Sequence, residues 1–217
     1  MTFLLPYTTA LLLGSMHALA LDHMAAVTAF AVQKPAPLAA ARFGMHWSIG
    51  HGGVIVLAGL LFIWIGAAIP ESAAAMLESG VGVVLIALGL WTARHARSLH
   101  AHLDQPGPAG HIHLHSHAFT PRHDHPHAAT MVGALHGLAG ATPALILLQV
   151  ARHDSVMQGM AYLATFAIGT TIGMACYALV TGYLMGRAAL VSQKFVRWLG
   201  QFTGMSTVAI GIFWLLR

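Results

Sequence analysis

Six apolar runs, near residues 3–32, 43–68, 73–94, 129–151, 156–186 and 196–216, dominate this 217-residue chain. A helix needs about 20 apolar residues to cross a bilayer, so each run is long enough to span one. Within lipid the backbone must satisfy its own hydrogen bonds, which makes helices the expected form of such runs. Charged residues make up 7% of the chain, against about 25% in soluble domains, so a water-soluble globule is excluded. The expected fold is an all-α membrane protein of six transmembrane helices.

Lys34-Pro35-Ala36-Pro37 closes the first run, because proline ends a helix. Gly14 within it predicts a tilt, or a break near His17. Ala18-Leu19-Ala20 imitates a signal-cleavage site, but no Lys or Arg precedes the run, and the segment is expected to be retained. Eight of the ten basic residues (Lys34, Arg42, Arg94, Arg97, Arg122, Arg187, Lys194 and Arg197) fall in or beside the first, third and fifth connections. Arg152 and Arg217 lie on the other side. Basic loops stay in the cytoplasm, which predicts a multi-pass protein of the cytoplasmic (inner) membrane with both termini outside. The formal charge of +4 reports this topology, and no basic stretch is dense enough for nucleic acid. Cys176 is the single cysteine, so neither a disulfide within the chain nor a thiolate metal cluster is available.

Between the halves, residues 95–128 form a His-rich segment containing Gly and Pro, expected to be a cytoplasmic loop. His95, His100 and His102 precede His111, His113, His115 and His117 at alternate positions, then His123, His125 and His127. Such a tract has little apolar surface to bury and reads as mobile, able to wrap a transition-metal ion loosely. A plain flexible linker is the alternative. Residues 1–94 and 129–217 are then two three-helix membrane repeats. Gly14-Ser-Met-His17-Ala-Leu-Ala aligns with Gly133-Ala-Leu-His136-Gly-Leu-Ala at an offset of 119 residues, which also sets Ile49-Gly50-His51 on Ile168-Gly169-Thr170. Ala87-Leu-Gly89-Leu matches Ala209-Ile-Gly211-Ile at an offset of 122. Three spans separate the copies, so they form a 3+3 inverted repeat, an arrangement that gives alternating access around a midplane site.

The polar residues inside these runs carry the chemistry. An Asp at the centre of a membrane helix costs about 2.5–3.5 kcal/mol on insertion scales, and Asp22 lies between His17 and His23. Two imidazoles and a carboxylate offer ligands to a first-row divalent metal, while a hydrogen-bond cluster tying two helices is the plainer reading. At about 100° per residue, His17, Asp22 and His23 project near 0°, 140° and 240°, so they converge only if the helix is distorted. His46 and His51 stand about 140° apart by the same count. The preferred ligand set is His17, Asp22, His23 and His51, with His46 and His136 next. Asp22 is either a direct ligand or the partner that orients a histidine. His136 is either a ligand or a buried ring bonded to a carbonyl. Thr142 and Thr170 are candidates to line a pathway, though threonine also bonds back to its own helix.

His17-x4-Asp22-His23 resembles the His-x4-Asp-His signature of the nickel/cobalt transporter superfamily, which includes efflux and urease-accessory membrane branches. Ile49-Gly50-His51 is similar to that family's Leu-Gly-His element, and Leu135-His136-Gly137-Leu138-Ala139-Gly140 to its His-Gly-x-Ala-Gly element. Many members carry the signature in the second of eight spans, whereas here it lies in the first of six. The resemblance implies secondary transport of Ni(II) or Co(II), with His17, Asp22 and His23 in recognition or passage of the ion. The His-rich loop resembles that of the efflux branch and favours export over import.

The expected function is therefore secondary transport of a divalent metal as cargo, without a prosthetic group and without enzymatic activity. Coupling to protons is a further expectation, because ligation requires neutral imidazole. The competing reading is a non-transporting accessory protein or metal reservoir that supplies nickel for metalloenzyme maturation. A membrane oxidase built on iron-binding histidines is the enzymatic alternative, set against it by the dense histidine run lying in a loop.

Overall fold

The first apolar run does not form one rod. In the computed structural model it is two helices, α1 (Leu5–His17) and α2 (Leu21–Gln33), meeting at 56° across residues 18–20. The structure describes residues 4–33, 36–65, 71–97, 100–103, 112–115, 126–138 and 155–216. The further helices are α3 (Pro37–Ile65), α4 (Glu71–Arg97), α5 (Pro126–Leu138), α6 (Val156–Val191) and α7 (Gln193–Leu216). Proline opens α3 and α5, where its missing N–H costs nothing. Ser155 caps α6 by accepting from the Gln158 N–H at 3.2 Å. Ser192, in extended backbone, ends α6 and accepts from the Phe195 N–H at 3.2 Å to start α7. Arg187, Lys194 and Arg197, expected around a connection, thus lie within helices, because Arg187-Ala-Ala-Leu-Val191 continues α6.

Among the described residues, α3, α4, α6 and α7 are long and apolar enough to cross a membrane, and the bent α1–α2 pair has the length and composition of a broken span or a re-entrant loop, which gives four or five candidate spans. The protein is an all-α, multi-pass membrane protein in its transmembrane body. The expected run 129–151 begins in α5 and otherwise falls outside the described residues. In the loop, β1 (His100–Leu103) pairs antiparallel with β2 (Ile112–His115), placing His100 opposite His115 and His102 opposite His113. The alternation of His with Ala, Leu or Ile has the two-residue period of a strand. His111, His117, His123 and His125 lie outside the described residues, and His127 is in the first turn of α5.

The packing is that of a membrane bundle, with bulky apolar side chains facing outward and small or hydroxylated residues inside. Leu57, Leu61, Ile168, Ile172, Phe202 and Phe213 are exposed, whereas Ser48, Thr92, Thr170 and Thr207 are buried. Each buried hydroxyl bonds to the carbonyl four residues back, so it adds no unsatisfied group to the interior. Helix α3 packs on α5 and α6, α1 on α6, and α4 on α7, while α2 lies among α4, α6 and α7. Small residues permit this closeness. A Cβ on Gly133 would collide with the Trp47 carbonyl, and one on Gly14 with the Phe166 carbonyl.

Candidate metal centre

His17 is the last residue of α1. The chain then turns over Ala18-Leu19-Ala20, with Leu19 N–H donating to Met16 O and Ala20 N–H to His17 O, both at 3.0 Å. The turn re-aims the chain before α2 places Asp22 and His23 in its first turn. This break removes the angular conflict of a straight helix and lets His17, Asp22 and His23 gather. His51 comes from the middle of α3 and His136 from the last turn of α5. Gly137 allows that approach, since a Cβ there would stand 2.5 Å from the His51 carbonyl oxygen.

His17 Nε2 lies 3.2 Å from His51 Nε2, and His23 Nε2 lies 3.5 Å from the same atom. At the about 2.0–2.1 Å bonds of zinc to imidazole, tetrahedral ligands stand about 3.3–3.4 Å apart. The spacing of these nitrogens fits that of imidazoles around one small divalent ion. The ligand atoms of His17, His23 and His51 all lie within 4.8 Å of one another, as do those of Asp22, His23 and His136. His23 belongs to both groups.

Asp22 joins the halves of the chain. His136 donates from Nε2 to Asp22 Oδ2 at 2.9 Å. His23 Nδ1 lies 3.0 Å from Asp22 Oδ1, a close approach between chain neighbours and not a well-aligned hydrogen bond. With one imidazole at each oxygen, the carboxylate is placed to orient His23 and His136. His23, His51 and His136 are each 2% exposed, so an ion held here is stripped of most of its water.

His46 is not in either group, and its Nδ1 lies 2.7 Å from the Arg42 carbonyl oxygen. Thr170 is buried and donates to Phe166 O at 3.1 Å. Thr142 falls outside the described residues. Sequence reasoning passed over Trp47, which is 0% exposed and packs against His23, His51 and His136. Its signal was the four-residue spacing from His51, which puts both on one helix face.

Fold and site define a multi-pass helical membrane protein that gathers its buried imidazoles and one carboxylate at a single centre. The family model described as the cytochrome c biogenesis protein transmembrane region matches residues 7–213, and the chain belongs to that family. It is 26% identical over 215 residues to a urease accessory protein, UreH, of Bacillus sp. (strain TB-90), covering 96% of this chain and 89% of that relative. No solved structure matches the chain.

Proposed function

We propose that the protein is a secondary transporter of Ni(II) or Co(II) across the cytoplasmic membrane, with export favoured over import and no enzymatic activity. The observation that carries this reading is the convergence of three imidazole Nε2 atoms, from α1, α2 and α3, at metal-ligand spacing within a bilayer-spanning bundle. His17, His23 and His51 hold the ion, and Asp22 orients His23 and His136. Imidazole suits nickel, cobalt, copper and zinc alike, so the choice among them rests on the resemblance to nickel/cobalt transporters. The relative named as a urease accessory protein supports a connection with nickel, the metal such a protein would help to supply.

The reading includes six spans in two inverted repeats, 1–94 and 129–217, with both termini outside and the loop 95–128 in the cytoplasm, gathering metal through its histidines. Contacts related by the sequence offsets support the repeat. Gly14 presses on the backbone of Phe166, and its counterpart Gly133 presses on Trp47, the counterpart of Phe166. Gly169 meets Leu11 as Gly50 meets Thr130. Gly82 meets Gly211 and Gly89 meets Gly204, which the offset of 122 exchanges with each other. Both α1 and α5 stop within two residues of the paired His17 and His136.

The test is cellular accumulation of radiolabelled nickel and cobalt with and without the protein, beside Asp22→Asn. Export predicts lower accumulation with the intact protein and a return to the control level in the variant. Higher accumulation would mean import, and no change for either metal would remove transport altogether. In that last case the reading favoured by the urease-accessory relative, a non-transporting accessory protein or metal reservoir, takes its place. A thiol–disulfide function is not favoured, because exchange within the chain needs two cysteines and Cys176 is the only one.

A further inference from the structure

Metal-binding histidines are usually held by a hydrogen bond at the nitrogen that does not ligate. Asp22 serves His136 in this way and stands 3.0 Å from His23 Nδ1, but no polar group among the described residues partners His51 at its buried Nδ1, which has no hydrogen bond there. What His51 has instead is an aromatic platform. The indole of Trp47 stacks on it, ring centroids 5.1 Å apart and planes 10° from parallel. The same indole meets His23 edge-on at 5.0 Å and His136 at 5.2 Å, so one side chain touches three of the four imidazoles.

Trp47 gives up something to stand there. It is fully buried, and its Nε1–H has no hydrogen-bond partner among the described residues, although a buried indole usually finds one. An apolar ring would avoid that loss, and the chain supplies the comparison. Phe166 lies 119 residues on from Trp47, just as His136 lies 119 on from His17. Its ring is 5.5 Å from His17, as Trp47 is 5.2 Å from His136. A phenyl ring therefore fills the equivalent place beside an imidazole. The indole adds a larger and more electron-rich face, the strongest of the aromatic side chains in attracting a cation.

We infer that Trp47 is a positioning residue for the metal centre: it fixes the His51 ring in place of the missing hydrogen bond, and its face stabilises the positive charge that a bound divalent ion spreads onto the imidazoles. This inference rests on the reading of His17, His23 and His51 as metal ligands. In it, Trp47 touches the ligands and not the ion, and contributes more to the loaded state than to the empty one.

The experiment is equilibrium Ni(II) binding by purified full-length protein in which the loop histidines from His100 to His127 are replaced by Asn, so that the buried centre is read alone. Trp47→Phe and Trp47→Leu are compared with the parent, with thermal unfolding of each followed without metal. Loss of the cation–π face is expected to weaken binding about 3- to 30-fold in Trp47→Leu, with Trp47→Phe between the two. Metal-free unfolding of Trp47→Phe should be unchanged or shifted upward. Parent-like affinity in both variants would overturn the inference while leaving the ligand assignment standing. So would a loss in Trp47→Phe matched by an equal loss of metal-free stability. A parent that binds no nickel would sink the ligand assignment, and this inference with it.

Discussion

His23 stands in both groups of converging ligand atoms, so its replacement removes a ligand from each arrangement at once. His23→Ala is expected to abolish tight nickel binding, whereas His46→Ala, whose ring faces the Arg42 carbonyl, should leave it intact. Asp22 acts through its neighbours. Asp22→Asn keeps the shape but loses the charge that orients two rings, and is expected to weaken binding by about 10- to 100-fold, the usual cost of disturbing a histidine's partner. Equilibrium dialysis against nickel checks all three. A carboxylate and paired histidines in an apolar run demand a reason, and that demand was legible in the sequence. The choice between ligand and orienting partner for Asp22 was not. It depends on which ring nitrogens reach Oδ1 and Oδ2 from α2 and α5, a matter of tertiary approach that spacing does not encode.

At the level of helices, the site depends on how closely α5 can lie on α3. Gly133 and Gly137 have backbone atoms of Trp47 and His51 where a Cβ would go, while a Cβ on Gly53 meets nothing within 4 Å. Gly133→Val is therefore expected to destabilise the fold by about 1–3 kcal/mol through overpacking and to lower the unfolding temperature in detergent. Gly53→Ala should leave stability unchanged or raise it by about 0.5–1 kcal/mol. Equal effects at the two positions would contradict the packing described. The break between α1 and α2 was legible in outline, since the side-chain angles of His17, Asp22 and His23 do not fit one rod. Its place at residues 18–20 follows from the turn that closes on Met16 and His17 carbonyls. The far end of α6 was misjudged because Arg187 looked like a loop residue, and nothing in the apolar pattern foretold that Ser192 would be the stop.

For the molecule as a whole, the proposed transport cycle ties cation movement to protonation, since imidazole must be neutral to bind metal and is protonated as pH falls. In proteoliposomes, acidifying the compartment toward which the metal moves should hasten its discharge there and speed net transport. Transport indifferent to a pH gradient would remove the coupling while leaving the centre in place. The membrane class was legible from the apolar runs alone, and the match to a family of transmembrane regions agrees with it.

Transport as proposed depends on the converging imidazoles of α1, α2 and α3 sharing a single divalent ion. Nickel binding to the full-length chain with Asn in place of the loop histidines tests it most directly. One tight nickel per chain, lost in His23→Ala and kept in His46→Ala, is the result predicted. A His23→Ala protein that binds nickel as tightly as its parent would contradict it.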